Sequence, residues 1–201
     1  MEKCDVIIGI AQLHVSKAPG RIVTIGLGSC VGVTLYDSVN HIGGMVHIML
    51  SDSTKFAINR MGGEILNKGK YADTGIEELL TQMIAAGASE SNIVAKIAGG
   101  AQMFAFTSEN SMLAVGRRNV EATKKKLAEL GIKIIAEDTG DSYGRTIEFY
   151  PENGELMIKS VGRENVNDIG LLDFARVNFH YFRLNLASIL HTLDYHIIKV
   201  T

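Results

Sequence analysis

Cysteine is scarce in this chain of 201 residues: Cys4 and Cys30 are the only two. A secreted domain held by a disulfide framework needs more, so the default is a cytoplasmic protein with free thiols. The first residues, Met1 to Asp5, carry no basic leader followed by an apolar stretch and a cleavage site, so no export signal is read there. No apolar run is long enough to cross a membrane, and no membrane insertion is expected. Charge of one sign is also lacking. The net charge of −2 provides no basic field for nucleic acid, so nucleic-acid binding is not expected. Proline is rare (2 residues) against 21 glycines, which points to many tight turns or close backbone approaches.

A hydrophobic content of 46% is that of a globular chain, and the length suffices for one domain with an appendage. Strands are predicted over 5–10, 21–25, 31–36 and 42–50, with a hairpin connection at 37–40. The polar stretch 51–70 reads as a long loop following His47, either a lid facing substrate or a solvated surface loop. A helix is predicted over 73–86, with Ile76, Leu79, Leu80, Met83 and Ile84 on one apolar face and Gly87 closing it. A strand over 93–98 runs into Gly99-Gly100-Ala101. A second helix spans 118–130, with Val120, Leu127 and Leu130 inward and Lys124 to Lys126 on its solvated face. Strands follow at 132–136, 146–150 and 156–161, the last two joined by the turn Pro151 to Gly154. Strands in runs, not in strict alternation with helices, indicate an α+β fold and argue against a doubly wound sheet. The tail differs. Leu172, Ala175, Phe179, Phe182, Leu186, Ile189 and Leu193 form a heptad seam, predicting a C-terminal amphipathic helix. It is expected either to pack on its own domain or to mediate self-association or partner binding. The division is a domain over 1–162 and a helical extension over 163–201.

Gly26-Leu27-Gly28-Ser29-Cys30-Val31-Gly32 lies between two β-like runs, and His47 follows seventeen residues after the cysteine. The glycine spacing and the strand that follows rule out a dinucleotide fingerprint. Glu64 and Tyr71 spoil a Walker loop around Gly69-Lys70. His180 and His191 stand about 16 Å apart on a helix, and the cysteines form no metal motif, so no metal or cofactor is expected. A cysteine attacks as its thiolate, which a neighbouring imidazole can generate. Cys30 as nucleophile and His47 as its base therefore suit acyl transfer from an amide, ester or thioester, with consecutive N–H groups of the turn as oxyanion donors. The alternative is a buried strand cysteine beside a core histidine.

The ordered blocks Leu27 to Val31, Gly43-Gly44-Met45-x-His47-x-Met49-Leu50, Lys70 to Asp73, Lys96 to Ala101 with Met103-Phe104, Gly116-x-Arg118-Asn119 and Ala136 to Gly140 resemble the CheD family of bacterial chemotaxis proteins. The resemblance covers roughly residues 7–161. It implies a chemoreceptor glutamine deamidase, with methyl-accepting receptors as substrate and a layered α/β sandwich similar to toxin-type cysteine deamidases. The family's catalytic cysteine, histidine and threonine fall on Cys30, His47 and Thr24. Backbone groups at Gly28, Ser29 and Cys30 are the oxyanion candidates, and Gly99, Gly100 and Phe104 the candidate contacts to substrate or partner. Arg118 and Asn119 are expected to cap or brace a helix start. Glu137 to Thr139 belong to a turn or to a site wall. The usual partner is a CheC-type CheY-phosphate phosphatase, which leaves a regulatory binding role as the alternative function. Receptor glutamyl methylesterase is a third. The chain departs from the family at Asp141, where a second glycine is usual, and in its long tail.

Overall fold

Strand β4 (Val31–Asp37) is buried at every position, so both of its faces must be covered. Val31, Val33 and Leu35 pack with Ile76, Leu79 and Met83 of helix α1 (Ala72–Ala85) and with Leu127 of helix α2 (Val115–Glu129). On the opposite face Tyr36 joins Ile22, Leu27, Ile147, Phe149 and Leu156. The period-2 alternation of a strand divides one sequence between two cores in this way. The result is three layers: a sheet, a second sheet containing β4, and the helices.

The computed structural model describes residues 4–55, 60–61, 64–65, 67–102, 114–160 and 195–198. The outer sheet has the order β1 (Cys4–Ile8), β3 (Gly20–Leu27), β10 (Arg145–Tyr150), β11 (Glu155–Ser160), β12 (Tyr195–Ile198). The middle sheet has the order β2 (Leu13–Lys17), β5 (Ile42–Ile48), β4, β8 (Ile93–Gly99), β9 (Lys133–Thr139). The pairs β1–β3 and β8–β9 are parallel and the others antiparallel. Two-residue strands β6 (Arg60–Met61) and β7 (Glu64–Ile65) pair with each other inside the stretch 51–70. Helix α1 lies on β2 and β5, and α2 on β4, β8 and β9.

The mixed α+β class and most strand positions agree with the sequence, and both predicted hairpins form, β4–β5 and β10–β11. At the first, Asp37 accepts the N–H groups of Val39 and Asn40 in an Asx turn. Both helices close through paired C-terminal bonds, Ala88 N–H to Met83 O and Gly87 N–H to Ile84 O in α1, Ile132 N–H to Leu127 O and Gly131 N–H to Ala128 O in α2. Strand β2 is an addition to the strands that the sequence predicts, and its half-buried pattern carries no clean alternation. Ile84 is 43% exposed, not on the apolar face, and the helical stripe ends at Met83. Lys126 is not on a solvated face: its side chain is 15% exposed, and its ammonium bridges α2 to Glu77 of α1 at 2.7 Å. Glu137 to Thr139 are not a turn but the end of β9. The heptad seam from Leu172 to Leu193 lies outside the described residues, and beyond it Tyr195–Ile198 is a strand.

The register of α1 is directly testable. Met83 is fully buried and its neighbour Ile84 is not. Met83→Ala should lower unfolding stability by about 2–5 kcal/mol in urea titration, and Ile84→Ala by less than about 1 kcal/mol. Equal losses would put the helix in another register.

Candidate active site

Only Gly28, Ser29 and Cys30 connect β3 in the outer sheet to β4 in the middle sheet. So short a crossing leaves its peptide groups outside either ladder, and they need other partners. The carbonyl of Gly28 accepts from Ala101 N–H at 2.8 Å, and that of Cys30 from Gly100 N–H at 2.7 Å. The carbonyl of Ser29 accepts from the Asn119 side-chain amide at 2.9 Å. Cys30 is half-buried against the inter-sheet core, and that burial pushes its thiol above the ordinary cysteine value.

His47 is completely buried in β5, directly opposite Gly32 of β4. Cys30, in the turn just before β4, packs against the inter-sheet core that Met45 of β5 also joins. Gly32 has no Cβ, and Ile147 and Leu27 of that core fill the space one would take. The backbone of His47 is held by its N–H to Gln12 O at 3.0 Å and by Ala11 N–H to its carbonyl at 2.9 Å. Across the inter-sheet space, Thr24 of β3 is likewise fully buried. Its Oγ1 lies 2.8 Å from His47 Nδ1 and 2.9 Å from the carbonyl of Ile8, its partner in β1.

This geometry decides the tautomer. A carbonyl oxygen can only accept, so the single hydroxyl proton of Thr24 goes to Ile8. Thr24 must then accept from His47, which places the imidazole proton on Nδ1. Nε2 is left with its lone pair, buried and without a hydrogen-bond partner among the described residues. Desolvation lowers the His47 pKa to about 4, so the resting imidazole is neutral at physiological pH. A buried acceptor without a partner is costly in an ordinary core, and groups of this kind are candidates for a functional site.

The remaining predicted residues take supporting places. Gly99 and Gly100 are buried, and Gly100 donates to the carbonyl of Cys30. Gly99 has φ +111°, and a Cβ there would fall on the Cys30 carbonyl oxygen, which accounts for glycine at this position. Gly116, at the start of α2, is pressed in the same way against the carbonyls of Gly100 and Ala101. Phe104 lies outside the described residues. Arg118 lines a cleft of about 410 Å³ with Ser51, Asp52, Lys55 and Asp73; that cleft contains none of Thr24, Cys30 and His47. Among the described residues, no three His, Cys, Asp or Glu side chains converge as metal ligands would.

Two residues escaped sequence reasoning. Asn119 is a bonded partner of the cysteine turn and not only a brace for its own helix. Arg145 is fully buried and grips the chain that follows β9: it donates to Asp138 Oδ1 at 2.8 Å, Gly140 O at 3.0 Å and Tyr143 O at 3.2 Å. That segment holds the 99–102 loop through Gly140 N–H to Gly99 O and Gln102 N–H to Asp141 O. Asp141 has φ +57°, a left-handed conformation that aspartate tolerates better than most residues. The only signal in the sequence for Arg145 was a lone charge leading into an apolar strand.

A layered α+β protein with a half-buried cysteine in a sheet-to-sheet turn and a buried, neutral imidazole in the next strand has the residue types of the cysteine hydrolases. Comparison with known proteins narrows the class. Residues 49–160 match the family model described as CheD chemotactic sensory transduction. A protein of Lachnoclostridium phytofermentans named probable chemoreceptor glutamine deamidase CheD is 58% identical over 156 residues, covering 78% of this chain and 93% of the relative. The chemoreceptor glutamine deamidase CheD of Halalkalibacterium halodurans is 53% identical over 154 residues, covering 77% of this chain and 92% of that one. A probable chemoreceptor glutamine deamidase CheD of Caldanaerobacter subterraneus is 49% identical over 162 residues. The chain belongs to the CheD family.

Burial of neutral His47 makes folding pH-dependent. The folded pKa of about 4 lies below the ordinary 6.5. Between these values the unfolded chain takes a proton that the folded chain refuses. The contribution is therefore complete above pH 6.5 and is lost as pH falls toward 4. Urea titrations should show roughly 2–3 kcal/mol lost from this source by about pH 4.5, and His47→Gln should lack that component. Parallel pH curves for the two proteins would mean that His47 is solvated.

Proposed function

We propose that the protein hydrolyses selected glutamine side chains of methyl-accepting chemotaxis receptors to glutamate, with Cys30 as nucleophile, His47 as acid and base, and Thr24 as the residue that orients His47. The reaction and the receptor substrate rest on family membership. The residue roles rest above all on one observation: the Thr24 hydroxyl donates to Ile8 O and so leaves His47 Nε2 free to accept a proton.

In the first step Nε2 takes the thiol proton, and the thiolate attacks the carboxamide carbon. Burial opposes charge on both groups in the free protein, raising the thiol pKa and lowering that of the imidazole. The ion pair therefore forms as substrate arrives and is not stored beforehand. The carbonyl oxygen becomes an oxyanion facing the N–H groups of Ser29 and Cys30, neither of which donates to a backbone carbonyl among the described residues. Protonated His47 gives its proton to the departing nitrogen, ammonia leaves, and a thioester remains. Water then gives a proton to Nε2 and attacks the thioester, releasing glutamate and restoring the thiol. The sum is glutamine plus water to glutamate plus ammonia, and no step calls for a metal or organic cofactor.

The layered arrangement supports a likeness to toxin-type cysteine deamidases. A protein substrate suits the surface at the end of β5, where Met49, two residues beyond His47, is 38% exposed; exposed apolar side chains of this kind take amphipathic partners. A CheC-type phosphatase is the proposed second partner at this face, self-association through the 163–201 extension a further one, and the cytoplasm the proposed compartment. The same thiolate would also open a glutamyl methyl ester, so substrate assays include methylated receptor.

Mass spectrometry of a receptor cytoplasmic fragment incubated with the protein should show a gain of about one mass unit at specific glutamines, absent with Cys30→Ala. Thr24→Val, which cannot accept from Nδ1, should slow the reaction at least about tenfold with little change in KM. No mass change on a folded cognate receptor would leave the regulatory binding role as the better reading.

A further inference from the structure

The carbonyls of Gly28, Ser29 and Cys30 are three in a row, and each meets a donor. In a trans peptide the C=O and the following N–H point in opposite directions. Whatever holds the Gly28 carbonyl therefore aims the Ser29 N–H, and whatever holds the Ser29 carbonyl aims the Cys30 N–H. The first is held by the backbone of Ala101, which any residue could supply. The second is held by a side chain. Asn119, 1% exposed, gives one amide hydrogen to Ser29 O and the other to Met49 O, each at 2.9 Å. Both partners are carbonyls, so only the NH₂ end of the amide fits there and no flipped assignment is possible. The two bonds also tie the cysteine turn to the end of the strand that carries His47.

We infer that Asn119 is a positioning residue for the oxyanion hole: it sets the plane of the Ser29–Cys30 peptide so that the Cys30 N–H faces the developing oxyanion. This rests on the deamidase reading above. Without the side-chain amide, that peptide is the one member of the three free to rotate, and rotation turns the N–H away from the substrate oxygen. The nucleophile itself is untouched, because neither Cys30 Sγ nor the His47–Thr24 pair bonds to Asn119.

The test separates two reactions of the same thiol. Deamidation builds an oxyanion. Alkylation by iodoacetamide forms an S–C bond and expels iodide, and builds none. The full-length protein, Asn119→Ala and the isosteric Asn119→Asp, which offers oxygens where the amide donated, are compared in both, alongside circular dichroism. On the receptor fragment kcat should fall about 10²–10³-fold in both variants, the scale of losing one oxyanion donor, with KM within about threefold. The rate of Cys30 alkylation and its dependence on pH should stay within about twofold of wild type. A kcat within threefold of wild type overturns the inference. So does alkylation that falls in step with deamidation, or failure of both variants to fold, since either assigns Asn119 to the core alone. Wild-type protein that alkylates at Cys30 but never deamidates receptor overturns the deamidase reading itself, and the inference with it.

Discussion

One proton on the Thr24 hydroxyl sets the tautomer of His47. Ile8 O can only accept it, so His47 must present Nδ1–H to Thr24 and keep Nε2 bare. The arrangement links three strands: β1 supplies the carbonyl, β3 the hydroxyl and β5 the imidazole. Two of these belong to the outer sheet and one to the middle sheet. The packing of the two sheets on each other is therefore what sets the tautomer, and the inter-sheet core of Ile22, Leu27, Ile147, Phe149 and Leu156 holds the two sheets in that position.

The cysteine turn is held by a second set of bonds that runs backwards through the fold. Arg145 grips the segment after β9, that segment holds Gly99 and Gln102, and Gly100 and Ala101 hold Cys30 and Gly28. Glycines at 99 and 116 let these backbones approach to hydrogen-bonding distance where a Cβ would collide. Preorganisation of this kind carries its cost in folding and not at the moment of reaction. A similar economy holds for charge. Thiol and imidazole are each buried enough to stay neutral at rest, so the protein does not carry an uncompensated ion pair in its interior.

Much of this was readable beforehand, for local reasons. The hairpin at 37–40 follows from Asp37 and its Asx turn, helix α1 from the spacing of Ile76, Leu79, Leu80 and Met83, and both helix ends from their glycines. The expectations that failed did so where packing overrides local pattern. Ile84 belongs to the apolar series in sequence but stands one step round the helix from the buried Met83 and is exposed. Lys126 sits in a run of three lysines that reads as a solvated face, yet Glu77 on the other helix draws it inward. Glu137 to Thr139 look like a polar turn, and parallel pairing with β8 makes them strand.

The sequence by itself determined the α+β class, the family, and the candidate pair Cys30 and His47, because turn residues, periodicity and ordered motif blocks are local properties of the chain. The tertiary structure alone decided which imidazole nitrogen carries the proton, which side chain holds the Ser29 carbonyl, and which segments Asn119 and Arg145 tie together. Each of these depends on hydrogen bonds between residues far apart in the chain, 23 positions between Thr24 and His47 and 90 between Ser29 and Asn119. A hydrogen bond is directional and short-ranged, so residue type proposes the partners but only the packed layers choose among them.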